Sequence, residues 1–95
     1  MSYQKALAAL AEPTRRAIWE RLNRREHTVG ELARAVHISQ PAVSQHLRVL
    51  RGARLVSHRQ DGTRRYYSAA HRGLADLRRW IESVWDDVLS AYGGE

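Results

Sequence analysis

The chain has no cysteine, which excludes a disulfide framework, a thiolate metal site and a thiol nucleophile. It has no apolar run approaching the roughly 18 residues of a membrane span. Its first ten residues lack the basic-then-apolar order of a secretory signal. No membrane partner is therefore expected, and a cytoplasmic location follows. There is no internal repeat, linker or low-complexity tract, so the expectation is a single domain over residues 1–95. No glycine-rich phosphate loop follows a strand-like run, and no Ser, His and carboxylate are brought together by the expected elements. The sequence thus offers no catalytic constellation and calls for no cofactor. A chain of 95 residues buries only about two-thirds of its unfolded surface, which leaves room for stabilisation by a second subunit.

What is present in excess is positive charge. The net charge is +6, and it is unevenly spread. Residues 1–72 hold 14 Lys/Arg and five Asp/Glu, whereas residues 73–95 hold two and five. Most of the chain would be attracted to a polyanion, while the tail would be repelled by one. A basic surface kept only for solubility is the plainer alternative.

The apolar spacing predicts five helices and a hairpin. Residues 3–11, rich in Ala and Leu, form a first helix. Pro13 suits the first turn of a second, running to residue 25. Thr28 followed by Glu31 is a capping-box pattern opening a helix through residue 36, with Val29, Leu32, Ala33 and Val36 on its apolar face. After a break at His37-Ile38, Ser39 caps a helix over 39–51, with Gly52 as its expected stop. Residues 55–60 and 63–68 read as strands joined by an Asp61-Gly62 hairpin turn. Residues 71–92 return to helix, with Leu74, Leu77, Ile81, Val84 and Val88 spaced 3, 4, 3, 4 and widened by Trp85 and Leu89. That stripe is too long for one small domain to cover, so a homodimer is expected. The fold class is mainly α with a small β-hairpin wing, in the order α-α-α-α-β-β-α.

Two helices joined by a tight break, 28–36 and 39–51, form a helix-turn-helix. On the second, Val43, Leu47 and Leu50 anchor the core, and Gln40, Ser44, Gln45, Arg48 and Arg51 point away. Gln can bind adenine through two hydrogen bonds, Arg can bind guanine, and Ser can adapt to either. The N-terminal end of such a helix enters the major groove. Gln40, Ser44 and Gln45 are therefore candidate base readers, and Arg48 could read a base or reach phosphate. In the hairpin, a turn at Asp61-Gly62 would set Arg59 opposite Arg64 and His58 opposite Arg65. Facing arginines are unfavourable in a free hairpin, and a phosphate near them relieves the repulsion. Val56 and Tyr67 would share the other face, against the helices. Ser39, Arg51, Arg59, Thr63, Arg64 and Arg65 are the candidate backbone contacts. A winged helix can also serve as a protein-interaction scaffold, but the basic, groove-facing set points to double-stranded DNA.

These motifs carry a resemblance. The stretches "EPTRRAIWERL", "TVGELARAVHISQPAVSQHLRVLRGARLV" and "DGTRRYYS" resemble the ArsR/SmtB family of winged-helix repressors. The resemblance implies transcriptional repression by a dimer built from the first and last helices, placing Leu7, Leu10, Leu74, Leu77, Ile81, Val84, Trp85 and Val88 at its interface. It also implies two recognition helices in successive major grooves of an operator, with wings on the flanking DNA. Many members of the family release DNA when a metal or other inducer binds. Where thiolate-sensing members carry Cys-x-Cys, this chain reads Glu31-Leu-Ala-Arg-Ala, and its last helix has no His beyond His71. No metal site is expected from these ligand sets, nor from His27, His37, His46, His58 and His71, which form no close helical pair. The acidic group of Glu82, Asp86 and Asp87 reads as a solvated face or an intersubunit salt bridge. Trp80 and Trp85 could line a small-molecule effector pocket at the dimer seam, or simply pack in the core.

Overall fold

The structure, a computed structural model, describes residues 2–93. Its elements are α1 (Ser2–Ala11), α2 (Pro13–Leu22), α3 (Val29–Val36), α4 (Gln40–Gly52), β1 (Val56–Asp61), β2 (Arg64–Ala69) and α5 (Arg72–Tyr92), in the expected order. Three helix starts are held by side chains. Glu12 accepts the Arg15 N–H at 2.8 Å to open α2. Thr28 and Glu31 form the reciprocal capping box of α3, with bonds of 2.9 and 3.2 Å. The Ser39 hydroxyl accepts the Ala42 N–H at 3.2 Å to open α4. Each satisfies a backbone donor that the first helical turn leaves without a partner.

The apolar stripes of α2, α3 and α4 meet around Ile18, Leu32, Val43, Leu47 and Leu50, with Leu55 closing the cluster; all six are essentially inaccessible to solvent. Trp19 joins helix to hairpin, its indole N–H donating to the Leu55 carbonyl at 2.8 Å in a buried bond. Val56 and Tyr67 are both buried and lie on one face of the hairpin, as expected.

Several boundaries differ from the sequence reading. The second helix stops at Leu22 rather than residue 25. The chain must leave the helix there because His27 pairs with Tyr67 through two backbone bonds of 3.0 and 2.8 Å, a long-range constraint that local helix propensity does not contain. Gly52 is the last residue of α4, as expected, but it is not the left-handed residue that closes the helix. The left-handed residue is Arg54 (φ 61°), with the Leu55 N–H bonded to the Leu50 carbonyl and the Arg54 N–H to that of Arg51, the Schellman pattern. His37 ends α3 in the same left-handed region (φ 60°).

The hairpin turn is also one residue later than expected. Asp61 pairs with Arg64, leaving Gly62-Thr63 as the loop. Gly62 has φ +63° and Thr63 is not among the positive-φ residues, the pattern of a type II′ turn, in which glycine alone supplies the left-handed position. Arg59 therefore faces Tyr66 and His58 faces Tyr67, and the expected confrontation of Arg59 with Arg64 does not occur. Both strands shift together, so every side chain keeps its face although it changes its partner.

Helix α5 starts in tight contact with the body. A Cβ on Gly73 would lie 2.1 Å from the Ala53 carbonyl oxygen, so only glycine allows the approach, and the Gly73 N–H donates to the Arg54 carbonyl at 2.9 Å. Packing against α1 follows, including Tyr3 stacked on Trp80 with centroids 5.0 Å apart. From Ile81 onward every described residue is exposed. The projecting helix makes the molecule 59 Å long but only 24 Å across. No helix among the described residues is long and apolar enough to cross a membrane.

Candidate nucleic-acid interface

The αL residue His37 turns the chain sharply between α3 and α4, and the capping Ser39 starts α4 immediately afterwards. With Val43, Leu47 and Leu50 buried, α4 can rotate no further. That rotation leaves Gln40, Ser44, Gln45, Arg48 and Arg51 exposed together. Among the described residues, none of these five side chains makes a hydrogen bond or ion pair that would occupy it. A Cβ on Gly30 would stand 3.6 Å from both the Gln40 amide nitrogen and an Arg34 guanidinium nitrogen. The start of α3 therefore crowds the N-terminal end of α4, bringing Arg34 beside Gln40. Ser39 is exposed, its oxygen engaged as the cap while its O–H can still donate.

The wing carries its cations differently. Arg59 makes a two-pronged bond to Glu26, Nε to Oε2 at 2.7 Å and Nη2 to Oε1 at 2.9 Å. Its guanidinium also lies 4.8 Å from the Tyr66 ring centre and 3.8 Å from Asp61. The bond from Arg59 holds the Glu26 carboxyl below the usual carboxylate range, and Glu26 in turn raises Arg59 further. Arg59 is thus already committed to a carboxylate, not repelled by a second arginine. Arg65 donates from Nε to Gln60 Oε1 at 3.2 Å across the strand pair. Thr63 and Arg64 are exposed at the tip, beside Asp61. Glu26 and Arg34 are the neighbours that sequence reasoning missed. Glu26 and Arg59 are separated by 33 positions, beyond the reach of any local pattern.

The expected dimer residues divide into two groups. Leu10, Leu74 and Leu77 pack half-buried on the chain's own core. Leu7, Ile81, Val84, Trp85 and Val88 are each more than a third exposed, as is Leu89. Trp80 is engaged by Tyr3, whereas Trp85 stands in solvent at 59% exposure. Among the described residues no three His, Cys, Asp or Glu side chains assemble into a metal site. His27 is buried with Nδ1 3.0 Å from the Arg25 carbonyl, and His71 lies 3.0 Å from the Asn23 side-chain oxygen.

A helix pair that presents a polar helix face beside a basic two-stranded hairpin is the arrangement of a winged helix-turn-helix DNA-binding protein. Comparison with known proteins agrees. Residues 12–58 match the sequence profile of bacterial regulatory proteins of the arsR family. The chain is 52% identical over 91 residues to the HTH-type transcriptional regulator Rv2034 of Mycobacterium tuberculosis, covering 96% of this chain and 85% of that protein. It is 36% identical over 73 residues to the transcriptional repressor SdpR of Bacillus subtilis, covering 77% and 81%. Among solved structures, a possible transcriptional regulator for arsenical resistance superposes with a TM-score of 0.74 at 44% identity, covering 90% of this chain and 93% of that one. The ArsR-like transcriptional regulator from Rhodococcus sp. RHA1 gives 0.81 at 29% identity, covering 95% and 88%. The chain belongs to the arsR family, and it is a DNA-binding transcriptional regulator.

Proposed function

We propose that the chain is a homodimeric repressor that acts by binding an operator in the cytoplasm and has no catalytic activity. The observation that carries the reading of bases is the unoccupied polar face of α4. Gln40, Ser44, Gln45 and Arg48 meet base edges, each well-formed two-pronged contact contributing about 1–3 kcal/mol of discrimination. Ser39, Arg51, Thr63, Arg64 and Arg65 meet phosphates. Arg59 reaches phosphate only by sharing or leaving Glu26. The exposed Leu7 on α1 and the exposed stripe of Ile81, Val84, Trp85 and Val88 on α5 support the dimer, because so much apolar surface would otherwise stay in water. An effector near Trp85 at that seam is compatible with this assembly.

Selection of bound duplexes from a random pool tests the proposal. Gln45→Ala is expected to lose about 1–3 kcal/mol at particular base pairs and to relax preference there. An equal small loss on selected and random DNA would assign Gln45 to the backbone and sink the base-reading assignment. Sedimentation at micromolar concentration should give a dimer; a folded monomer would remove the two-fold reading.

A further inference from the structure

At the C-terminal end of α4 lies a concave surface that shares Arg51 with the recognition helix and that the wing tip does not reach. It is a cleft of about 630 Å³ between the last turn of α4, the base of β1 and the start of α5. Its polar walls are Arg51, Arg54, Ser57, His58, His71 and Arg72. The nearby carboxylate of Asp76 is already taken, by Arg54 at 3.5 Å and by Arg79. Arg51 and Arg72 have no ion pair among the described residues. No side chain caps the start of α5, so its partial positive charge adds to that of the arginines. His58 is held below the usual histidine range by partial desolvation first and then by the charges of Arg51 and Arg65. Like charges gathered in a concave site cost free energy that a bound anion would recover.

We infer that this cleft binds a phosphate group, supplied either by the DNA backbone beyond the major groove or by a free phosphorylated small molecule. A phosphate seated there would touch the end of the reading helix and the start of α5 at once, so a free ligand would bear on both reading and assembly. The backbone source rests on the DNA-binding reading; the free source does not.

Two measurements on the full chain separate the sources. The first is calorimetric titration with inorganic pyrophosphate at low ionic strength. The second is affinity for a selected duplex over a range of salt concentrations. Arg72→Gln is the test variant, and Arg21→Gln, in a basic groove elsewhere, is the control. Pyrophosphate binding that falls about ten-fold in Arg72→Gln but not in Arg21→Gln establishes the free source. Absence of pyrophosphate binding, with a salt slope flattened by about 1.8 when Arg72→Gln is present in both subunits, establishes the backbone source. Neither effect, or equal losses in Arg21→Gln, overturns the inference. Wild-type binding to the duplex is read in the same titration, so failure of the cleft is distinguishable from failure of DNA binding. Arg72 is exposed, and matching thermal melts confirm that the variants fold.

Discussion

The body of the molecule, from α1 through the hairpin, and the outer half of α5 dispose of apolar side chains in opposite ways. In the body, stripes from α2, α3 and α4 close on one another until Leu32, Val43 and Leu50 have no exposed surface. Beyond Trp80, α5 carries the same kind of stripe largely in solvent, and Ile81 is 52% exposed. The charges divide near the same place, at the start of α5. Residues 1–72 carry nine more cationic than anionic side chains, and residues 73–95 carry three more anionic. A basic body attracts DNA, while an acidic, apolar tail is repelled by DNA and gains by burying its stripe elsewhere. The same hydrophobic periodicity thus has two outcomes, a finished core and an unfinished interface, and the presence of neighbouring elements decides between them.

Substitutions in the two stripes give the strongest test of this division. Leu50→Ala removes side-chain atoms from a closed core and should cost about 2–5 kcal/mol of folding stability. Ile81→Glu should leave the helical signal and monomer melting nearly unchanged. It should, however, convert the dimer to monomer in sedimentation and lower operator affinity about 100-fold, through loss of bivalent attachment. If Ile81→Glu unfolds the protein as Leu50→Ala does, the tail is part of the core and the comparison breaks. Leu77→Glu, one turn earlier and half-buried on the core, should show both defects.

A smaller effect is expected from charge. Arg64→Ala in both subunits should flatten the salt dependence of DNA binding by about 1.8 in log–log slope. The order of preferred sequences should be unchanged, since phosphate contacts position without reading. Arg78→Ala, on a tail residue paired with Glu82 at 3.2 Å, should leave the slope alone. A slope altered equally by both variants would place the tail on DNA.

The smallest expected effect is the response to acid. Glu12, Glu26 and Glu31 are all held below the ordinary glutamate value, by the Arg15 N–H, the Arg59 side chain and the Thr28 N–H respectively. Depressed carboxylates contribute stability that is present above their unfolded value and lost as pH falls through their folded values. The melting temperature should therefore decline below about pH 4.5, and the decline should be shallower in Glu26→Gln. A decline of equal steepness in that variant would mean that the Arg59 contact contributes nothing to the folded state.

Much of this was legible along the chain. Thr28 with Glu31, Ser39 before Pro41, and the 3, 4 spacing of apolar residues are local signals, and each element they announce is present. The exposed set on α4 followed from periodicity alone, because burying Val43, Leu47 and Leu50 leaves one possible outer face. The hairpin was legible only to within a residue. Asp61-Gly62 and Gly62-Thr63 are both acceptable loops by composition, and pairing of Asp61 with Arg64 selected the second. The end of α2 was not legible, since the His27–Tyr67 pairing joins residues 40 positions apart. Nor was the left-handed Arg54, which takes the position that Gly52 was expected to fill two residues earlier.

By itself, the sequence determined the kinds of element, their order, the outward set of α4 and the split of charge between body and tail, because each depends on side chains within a few turns of one another. Only the tertiary structure decided what those side chains meet. It committed Arg59 to Glu26, brought His58 under the charges of Arg51 and Arg65, and used Leu74 and Leu77 on the core while leaving Ile81 and Val88 largely in water. The physical reason is range: capping, turns and periodicity act over a few residues, whereas ion pairs, clefts and burial depend on distances in space that separations along the chain do not set.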